Sequence, residues 1–203
     1  MSKTFPDYLE KIKKKVVGQD YVIDRLGTYL LKHLLKSIML VKEPAVNHPS
    51  SCVLLMGASG TGKTYITKTL CNEFNLSYIE INAKSITQEG WSGTSFIQAL
   101  NDEIKAYPDP ATHPGIVVLV DEFDKMCMPQ DESKHINYHY IIQASILKYL
   151  DGMEVNIKGK SDTILMSYNT GKLFYVFWRN FEELRKNRLT IPSAGFIINK
   201  ENK

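Results

Sequence analysis

The stretch Gly57-Ala58-Ser59-Gly60-Thr61-Gly62-Lys63-Thr64 decides the fold of this chain. It matches the pattern Gly-x-x-x-x-Gly-Lys-Ser/Thr in full. The apolar run 52–56 precedes it, and a helical pattern over 65–74 follows it. Glycines leave backbone N–H groups free to surround an anion, and the following helix adds the positive end of its dipole. The stretch therefore predicts a phosphate-binding loop between a strand and a helix.

Two side chains of this loop have specific predicted contacts. Lys63 would bring its charge to the β- and γ-phosphates of a nucleotide, and the hydroxyl of Thr64 would bind Mg²⁺. The nucleotide-binding residues expected from the pattern are Gly57, Ala58, Ser59, Gly60, Thr61, Gly62, Lys63, Thr64 and Tyr65.

An acidic pair follows a second apolar run. Residues 116–120 read Ile-Val-Val-Leu-Val, which indicates a strand buried on both faces of a parallel sheet, and Asp121 and Glu122 come directly after it. Carboxylates at the carboxyl end of such a strand point into the crevice where ligands bind. We expect Asp121 to hold Mg²⁺ together with Thr64, and Glu122 to orient and deprotonate a water. The alternative is a solvated acidic turn.

The rest of the pattern alternates strands with helices, which predicts right-handed crossovers in a parallel sheet. The fold class is therefore α/β, a three-layer α/β/α sandwich with a mostly parallel sheet, as in P-loop NTPases. We expect an N-terminal helical segment over 1–51 and the α/β core over 52–203. Helices are predicted at 5–17, 20–41, 65–74, 94–106, 136–150 and 173–187, and strands at 52–56, 77–82, 116–120, 164–167 and 189–191.

Composition narrows the class of protein. The chain has 203 residues, 43% of them hydrophobic, which is enough for a core, and its net charge of +3 is too small to identify a partner. The three cysteines lack metal-ligand spacing, and neither a signal peptide nor a membrane-spanning run is evident. These features predict a cytoplasmic protein without a membrane partner. The lysines at 11, 13, 14 and 15 indicate a solvated helix face or a binding patch.

Four segments then line up in a familiar order. They read Val-Gly-Gln-Asp at 17–20, the phosphate loop, Gly-Trp-Ser-Gly at 90–93 and Asp-Glu-Phe-Asp-Lys at 121–125. Together they resemble the AAA+ ATPases, and within them the ClpX-like members of the Clp/HslU unfoldases. The resemblance covers about residues 5–191, including 155–165, which is similar to the hairpin and fourth strand of HslU-like members.

That resemblance implies a chaperone-type, Mg²⁺-dependent ATPase with ATP as cofactor, acting on a polypeptide substrate. It also implies a homo-oligomeric ring, a hexamer formed with nucleotide, and a partner protease. Val16 and Val17 would pack against adenine. The segment Gly90, Trp91, Ser92 and Gly93 would form a pore loop that grips the substrate, although a buried core tryptophan is the alternative for Trp91.

Two further residues take roles by the same resemblance. Asn169 matches the polar position after the fourth strand that positions water near the γ-phosphate, with a turn asparagine as the alternative. Arg188 matches an arginine finger that reaches the nucleotide of the neighbouring subunit, with a surface helix arginine as the alternative.

The chain departs from the family pattern after Leu189, where members continue into an α-helical lid. We expect no C-terminal lid domain, either because a lid-supplying partner chain exists, because the protein is a compact viral or phage-type form, or because it is truncated. Two other functions stay open. One is a nucleic-acid motor or loader, which the modest charge disfavours without excluding nucleic acid as a partner. The other is a nucleotide-binding module without turnover.

Overall fold

A parallel sheet with helices on both faces organises the chain. The computed structural model describes residues 4–42, 49–87, 93–106, 115–126, 138–158 and 163–179. The described helices are α1 (Phe5–Lys15), α2 (Asp20–Lys42), α3 (Lys63–Glu73), α4 (Phe96–Ile104) and α5 (Tyr138–Leu150). The described strands are β1 (Ser51–Met56), β2 (Tyr78–Asn82), β3 (Val117–Asp121), β4 (Glu154–Lys158), β5 (Ile164–Asn169) and β6 (Phe174–Arg179).

The main sheet has the strand order β1-β6-β3-β2, and every neighbouring pair in it is parallel. The last described strand, β6, therefore lies between the strand that enters the phosphate loop and the strand that ends in the acidic pair. Its register sets Trp178 beside Leu55 of β1 and Phe177 beside Val120 of β3. This insertion brings the carboxyl ends of β1, β6 and β3 to one edge of the sheet.

Burial on both faces explains why β3 and β6 lie in the middle of the sheet. The four residues 117–120 have no exposed surface, and 174–178 are each at most 6% exposed. Successive side chains alternate between two apolar clusters, one under α1, α2 and α3 and the other under α4, α5 and the β4–β5 hairpin. The three-layer α/β/α sandwich predicted from the sequence is confirmed.

Ion pairs tie α1 to the helices beside it. Lys11 and Lys15 both pair with Glu73 at the end of α3, the latter at 3.5 Å, and Lys13 pairs with Asp24 of α2 at 2.9 Å. The lysine cluster of α1 therefore lies on a partly exposed helix face whose charges are largely matched within the protein.

The predicted helix over 173–187 is wrong for the part of it that the structure describes. Phe174–Arg179 is a strand, and the pairing of β6 with β1 and β3 leaves no room for a helix there. The strand predicted at 164–167 is present in β5, but β5 pairs antiparallel with β4 in a separate hairpin and does not join the parallel sheet. The strand predicted at 189–191 lies outside the described residues.

Of the helices in the described ranges, none combines the length and the apolar composition needed to cross a membrane.

Candidate active site

The predicted phosphate loop links β1 to α3, as its sequence requires. β1 ends at Met56 and α3 begins at Lys63, with Gly62 as the helix N-cap. Gly60 and Gly62 have φ angles of +77° and +82°, a left-handed conformation that glycine adopts without steric cost. The sequence places glycine at these two positions because the turn into α3 needs a positive φ at each.

Hydrogen bonds hold the ammonium group of Lys63 against the backbone of its own loop. The ammonium group of Lys63 donates to the carbonyl oxygens of Gly57 and Ala58, at 2.7 Å each. The hydroxyl of Thr61 donates to Ala58 as well, at 2.9 Å. The lysine charge is therefore held at the loop by neutral acceptors, and an anionic phosphate would be a stronger partner for it.

The acidic pair lies at the end of β3. Asp121 is exposed, and its Oδ1 accepts a 2.7 Å hydrogen bond from the backbone N–H of Glu122. Glu122 has a φ of +53°, which is uncommon for a residue with a side chain. Asp124, one turn further on, is 8% exposed. This turn directs the chain sharply away from the sheet directly after the strand and leaves two carboxylates at its edge.

One cavity of about 540 Å³ brings these two parts of the sequence together. Its lining consists of Ser59, Gly60, Gly62, Lys63, Thr64, Tyr65, Asp121, Glu122, Asp124 and Trp178. A cation, backbone N–H groups at a helix N-terminus and carboxylates thus face one space. Such a set can bind a polyphosphate through the loop and can bind a divalent cation through oxygen ligands.

The oxygen ligands available here fit Mg²⁺. Mg²⁺ is usually held by one or two carboxylates together with substrate phosphates, and it keeps several waters. Thr64 and Asp121, the two predicted ligands, both line the cavity. No cluster of three or more metal-binding His, Cys, Asp or Glu side chains occurs within the described residues, so a dedicated all-protein metal cage is not what this part of the chain builds.

A second, smaller cavity of about 220 Å³ adjoins the loop and shares Lys63 with the first. Its lining consists of Gln19, Val22, Leu55, Met56, Gly57, Thr61, Lys63 and Ile66. Four of its lining residues have apolar side chains and Gln19 adds a side-chain amide, a combination that suits a flat heterocycle with polar edges.

The structure does not bring the two valines predicted to contact adenine to this smaller cavity. Val16 is 7% exposed and packs in the core, whereas Val17 is 87% exposed. Gln19 and Val22 line the cavity instead. Gln19 belongs to the Val-Gly-Gln-Asp segment that the sequence had already singled out, and Val22 lies one helical turn further along.

Asn169, which was predicted to lie beside the phosphates, is not among the residues that line the larger cavity. It ends β5, a strand of the hairpin, and its side chain accepts a 2.8 Å hydrogen bond from the N–H of Gly171. The strand beside β1 is β6, so Asn169 does not follow the strand next to the phosphate loop. The turn reading of Asn169 fits its geometry.

The remaining predicted residues fall at or beyond the limits of the described ranges. Gly90, Trp91, Ser92 and Arg188 lie outside them. Gly93 is described, is exposed and has a φ of +139°, and its neighbour Thr94 pairs with Ile86 in an isolated bridge. The pore-loop and arginine-finger assignments therefore stay predictions.

Two residues that line the larger cavity were not predicted from the sequence to belong to the site. Asp124 lies in the segment Asp-Glu-Phe-Asp-Lys, where only the first two acidic residues were given roles. Trp178 was placed in a helix. The signal that could have found it is the unbroken apolar run 173–178, which has the same character as 116–120 and favours a strand buried on both faces.

The residues that build this site lie within a span that matches a known protein family. The family model described as "ATPase family associated with various cellular activities (AAA)" matches residues 53–188. The matched span begins in β1 and covers the phosphate loop, the acidic pair and β6, so it contains all the residues that line the larger cavity.

The individual proteins that the chain resembles share only about a quarter of the aligned residues with it. The protein named ATP-dependent Clp protease ATP-binding subunit ClpX from Bacteroides thetaiotaomicron is 23% identical over 199 residues, covering 92% of this chain and 48% of its own. Its namesake from Azotobacter vinelandii is 27% identical over 162 residues, covering 74% and 36%. ClpX 2 of Wolinella succinogenes is 26% identical over 182 residues, covering 85% and 45%. The chain spans about half the length, or less, of these relatives.

Proposed function

Because the chain belongs to the ATPase family associated with various cellular activities (AAA), we propose that its larger cavity binds Mg-ATP and hydrolyses it to ADP and phosphate. The observation that carries the proposal is that Lys63 lines the same cavity as Asp121 and Glu122, although the lysine is far from the acidic pair in sequence. A phosphate-binding turn alone would not need carboxylates opposite its lysine.

Each side chain has a role that follows from its chemistry. The N–H groups of the loop and the start of α3 bind the phosphate oxygens, and Lys63 exchanges its carbonyl partners for the β- and γ-phosphates. Thr64 and Asp121 would hold Mg²⁺, which neutralises phosphate charge when bound. Glu122 accepts a proton from water as the water oxygen attacks the γ-phosphorus. The bond from the γ-phosphorus to the bridging oxygen breaks, and ADP leaves with that oxygen.

The adenine base is assigned to the smaller cavity. Lys63 lines both cavities, and Val22 and Gln19 are among the residues that line the smaller one. In this arrangement Val22 packs against the ring and the amide of Gln19 offers a donor and an acceptor to its edge. In this proposal the two cavities, which share Lys63, hold the two ends of one nucleotide.

A phosphate-release assay with Mg-ATP tests the proposal. We expect release from the unmodified chain and none above background from the Lys63→Ala variant, whose melting temperature should match that of the parent. Binding of ATP without release in the unmodified chain would instead support the nucleotide-binding module.

We further infer that turnover drives remodelling of polypeptides in a ring of identical subunits, a hexamer. The support is the similarity to proteins named as ATP-binding subunits of the Clp protease, and the expected pore segment at 90–93. In this proposal Trp91 grips the substrate, Arg188 reaches the neighbouring nucleotide, and a protease or a lid-supplying chain is a possible partner. Measuring the mass of the assembly with and without Mg-ATP tests it. A hexamer that forms with nucleotide supports it, and a persistent monomer contradicts it.

A further inference from the structure

The indole of Trp178 carries a hydrogen-bond donor that the described protein leaves unused. The side chain is 3% exposed, and its Nε1 has no hydrogen-bond partner among the residues that the structure describes. A buried donor without an acceptor loses its hydration and gains nothing in return. Such a group in a native protein calls for a specific explanation, and a bound ligand is one of them.

The position of Trp178 in the fold indicates which ligand would supply the acceptor. Trp178 is at the carboxyl end of β6, directly between the strand that enters the phosphate loop and the strand that ends at Asp121. Trp178 lines the larger cavity together with Lys63 and Asp121. The space between a loop lysine and an Mg²⁺-binding carboxylate is where the terminal phosphate of a triphosphate lies.

A second buried donor on β6 also lacks a partner among the described residues. Burial without a partner is therefore not enough to identify a group that binds the nucleotide. The hydroxyl of Tyr175 is also buried without a partner among the described residues. Tyr175, however, belongs to the apolar cluster on the other face of the sheet and does not line either cavity at the phosphate loop. Trp178 belongs to the cluster on the face of α3, the helix that begins at Lys63.

We propose that the indole N–H of Trp178 donates a hydrogen bond to a terminal-phosphate oxygen of the bound nucleoside triphosphate. The inference rests on the proposed function, because it needs a nucleotide in the cavity. It gives Trp178 the place beside the γ-phosphate that the sequence had suggested for Asn169. The indole supplies one uncharged donor and no acceptor, so it favours a phosphate oxygen over any group that must itself donate.

Fluorescence tests this contact without changing Trp178. The chain has two tryptophans, so the Trp91→Phe variant leaves Trp178 as the sole indole emitter. We expect a saturable change in its emission on titration with a non-hydrolysable Mg-ATP analogue. Mg-ADP, which lacks the terminal phosphate, should give little change. Equal responses to the two nucleotides would overturn the proposal.

Substitution gives an independent measurement. Trp178→Phe removes the N–H and keeps an aromatic ring, and it should weaken binding of the ATP analogue about tenfold while changing ADP affinity less than about twofold. Tyr175→Phe is the matched control, since it deletes a buried, unpartnered donor on the other face, and it should change neither affinity. Calorimetry supplies both values, and melting temperatures show that each variant folds.

The outcomes separate this proposal from the function it rests on. If the parent and Trp178→Phe bind the ATP analogue equally, the hydrogen bond is refuted while nucleotide binding stands. An equal loss of ATP and ADP affinity would also refute it, because a general packing defect would affect both nucleotides. If the parent binds neither nucleotide, the proposed function itself fails.

Discussion

The backbone N–H of Glu122 donates a 2.7 Å hydrogen bond to Oδ1 of Asp121, and Glu122 is held at a φ of +53°. The bond occupies Oδ1 of the Asp121 carboxylate, and a ligand could be bound through Oδ2. The left-handed turn that it accompanies ends β3 abruptly and leaves the Glu122 side chain lining the same cavity as Lys63. This arrangement is the reason why we propose different chemical roles for the two adjacent acidic residues.

Glu122 should be needed for turnover and not for binding. Replacement of its carboxylate by an amide in Glu122→Gln removes the base and preserves the shape of the side chain. We expect phosphate release to fall by about 10²- to 10⁴-fold, with ATP affinity close to that of the parent. Single-turnover phosphate release, with ATP binding measured separately, checks this. Turnover near the parent rate would remove Glu122 from the mechanism.

The positive φ at Glu122 should also cost stability. Glycine adopts this conformation freely, whereas a residue with a Cβ is strained in it by about 1 kcal/mol. Glu122→Gly should therefore have a free energy of unfolding about 1 kcal/mol higher than Glu122→Ala. Both variants lack the carboxylate, so the comparison isolates the backbone. Urea denaturation gives the two values, and equal stabilities would show that this turn is not strained in solution.

The lining of the smaller cavity predicts different effects on ATP affinity for substitutions of Val22 and Val17. Val22 lines it, whereas Val17 is 87% exposed and does not. Val22→Ala should lower ATP affinity by about three- to tenfold, because it removes apolar contact with the base. Val17→Ala is the control and should leave affinity unchanged. If Val17→Ala weakens ATP binding and Val22→Ala does not, the base lies against the segment that follows α1, as the sequence predicted.

Acid should destabilise the fold through His33 on α2. Burial, and then the positive charge of Lys36, lower the pKa of His33 from 6.5 to about 4. Below pH 6.5 the unfolded chain takes up a proton that the folded chain resists until about pH 4, so stability falls as the pH drops through this window. The loss from this residue should reach roughly 3 kcal/mol.

Denaturant unfolding at a series of pH values checks the histidine. His33→Leu carries no titrating group at this position, so its stability should depend less steeply on pH between 6.5 and about 4. Carboxylates titrate in the same range in both proteins, and the difference between the two curves isolates His33. Parallel curves would show that His33 is not held neutral by burial.

Much of the fold could be predicted because its signals are local. The phosphate loop required a strand before it and a helix after it, and the run 116–120 required burial on both faces of a parallel sheet. The structure has β1, α3 and β3 at those positions. The joint lining of one cavity by the loop and the acidic pair followed from a general rule, that the carboxyl ends of parallel strands form the ligand crevice.

The order of strands could not be predicted in the same way. Whether 164–167 or 174–179 pairs beside β1 depends on contacts between distant segments, and both runs are apolar enough to form strands. The structure gives that place to β6 and puts β5 in the hairpin. The absence of Trp178 from the predicted site follows from this, because a residue's place at the site depends on which strand carries it.

Binding of ATP by the Glu122→Gln chain, measured calorimetrically with and without Mg²⁺, tests the central claim most directly. The account predicts binding that Mg²⁺ strengthens, loss of binding when Lys63→Ala is added, and loss of the Mg²⁺ effect when Asp121→Asn is added instead. ATP binding that survives Lys63→Ala unchanged, or that keeps its full Mg²⁺ dependence in Asp121→Asn, would contradict a nucleotide held between the loop and the acidic pair.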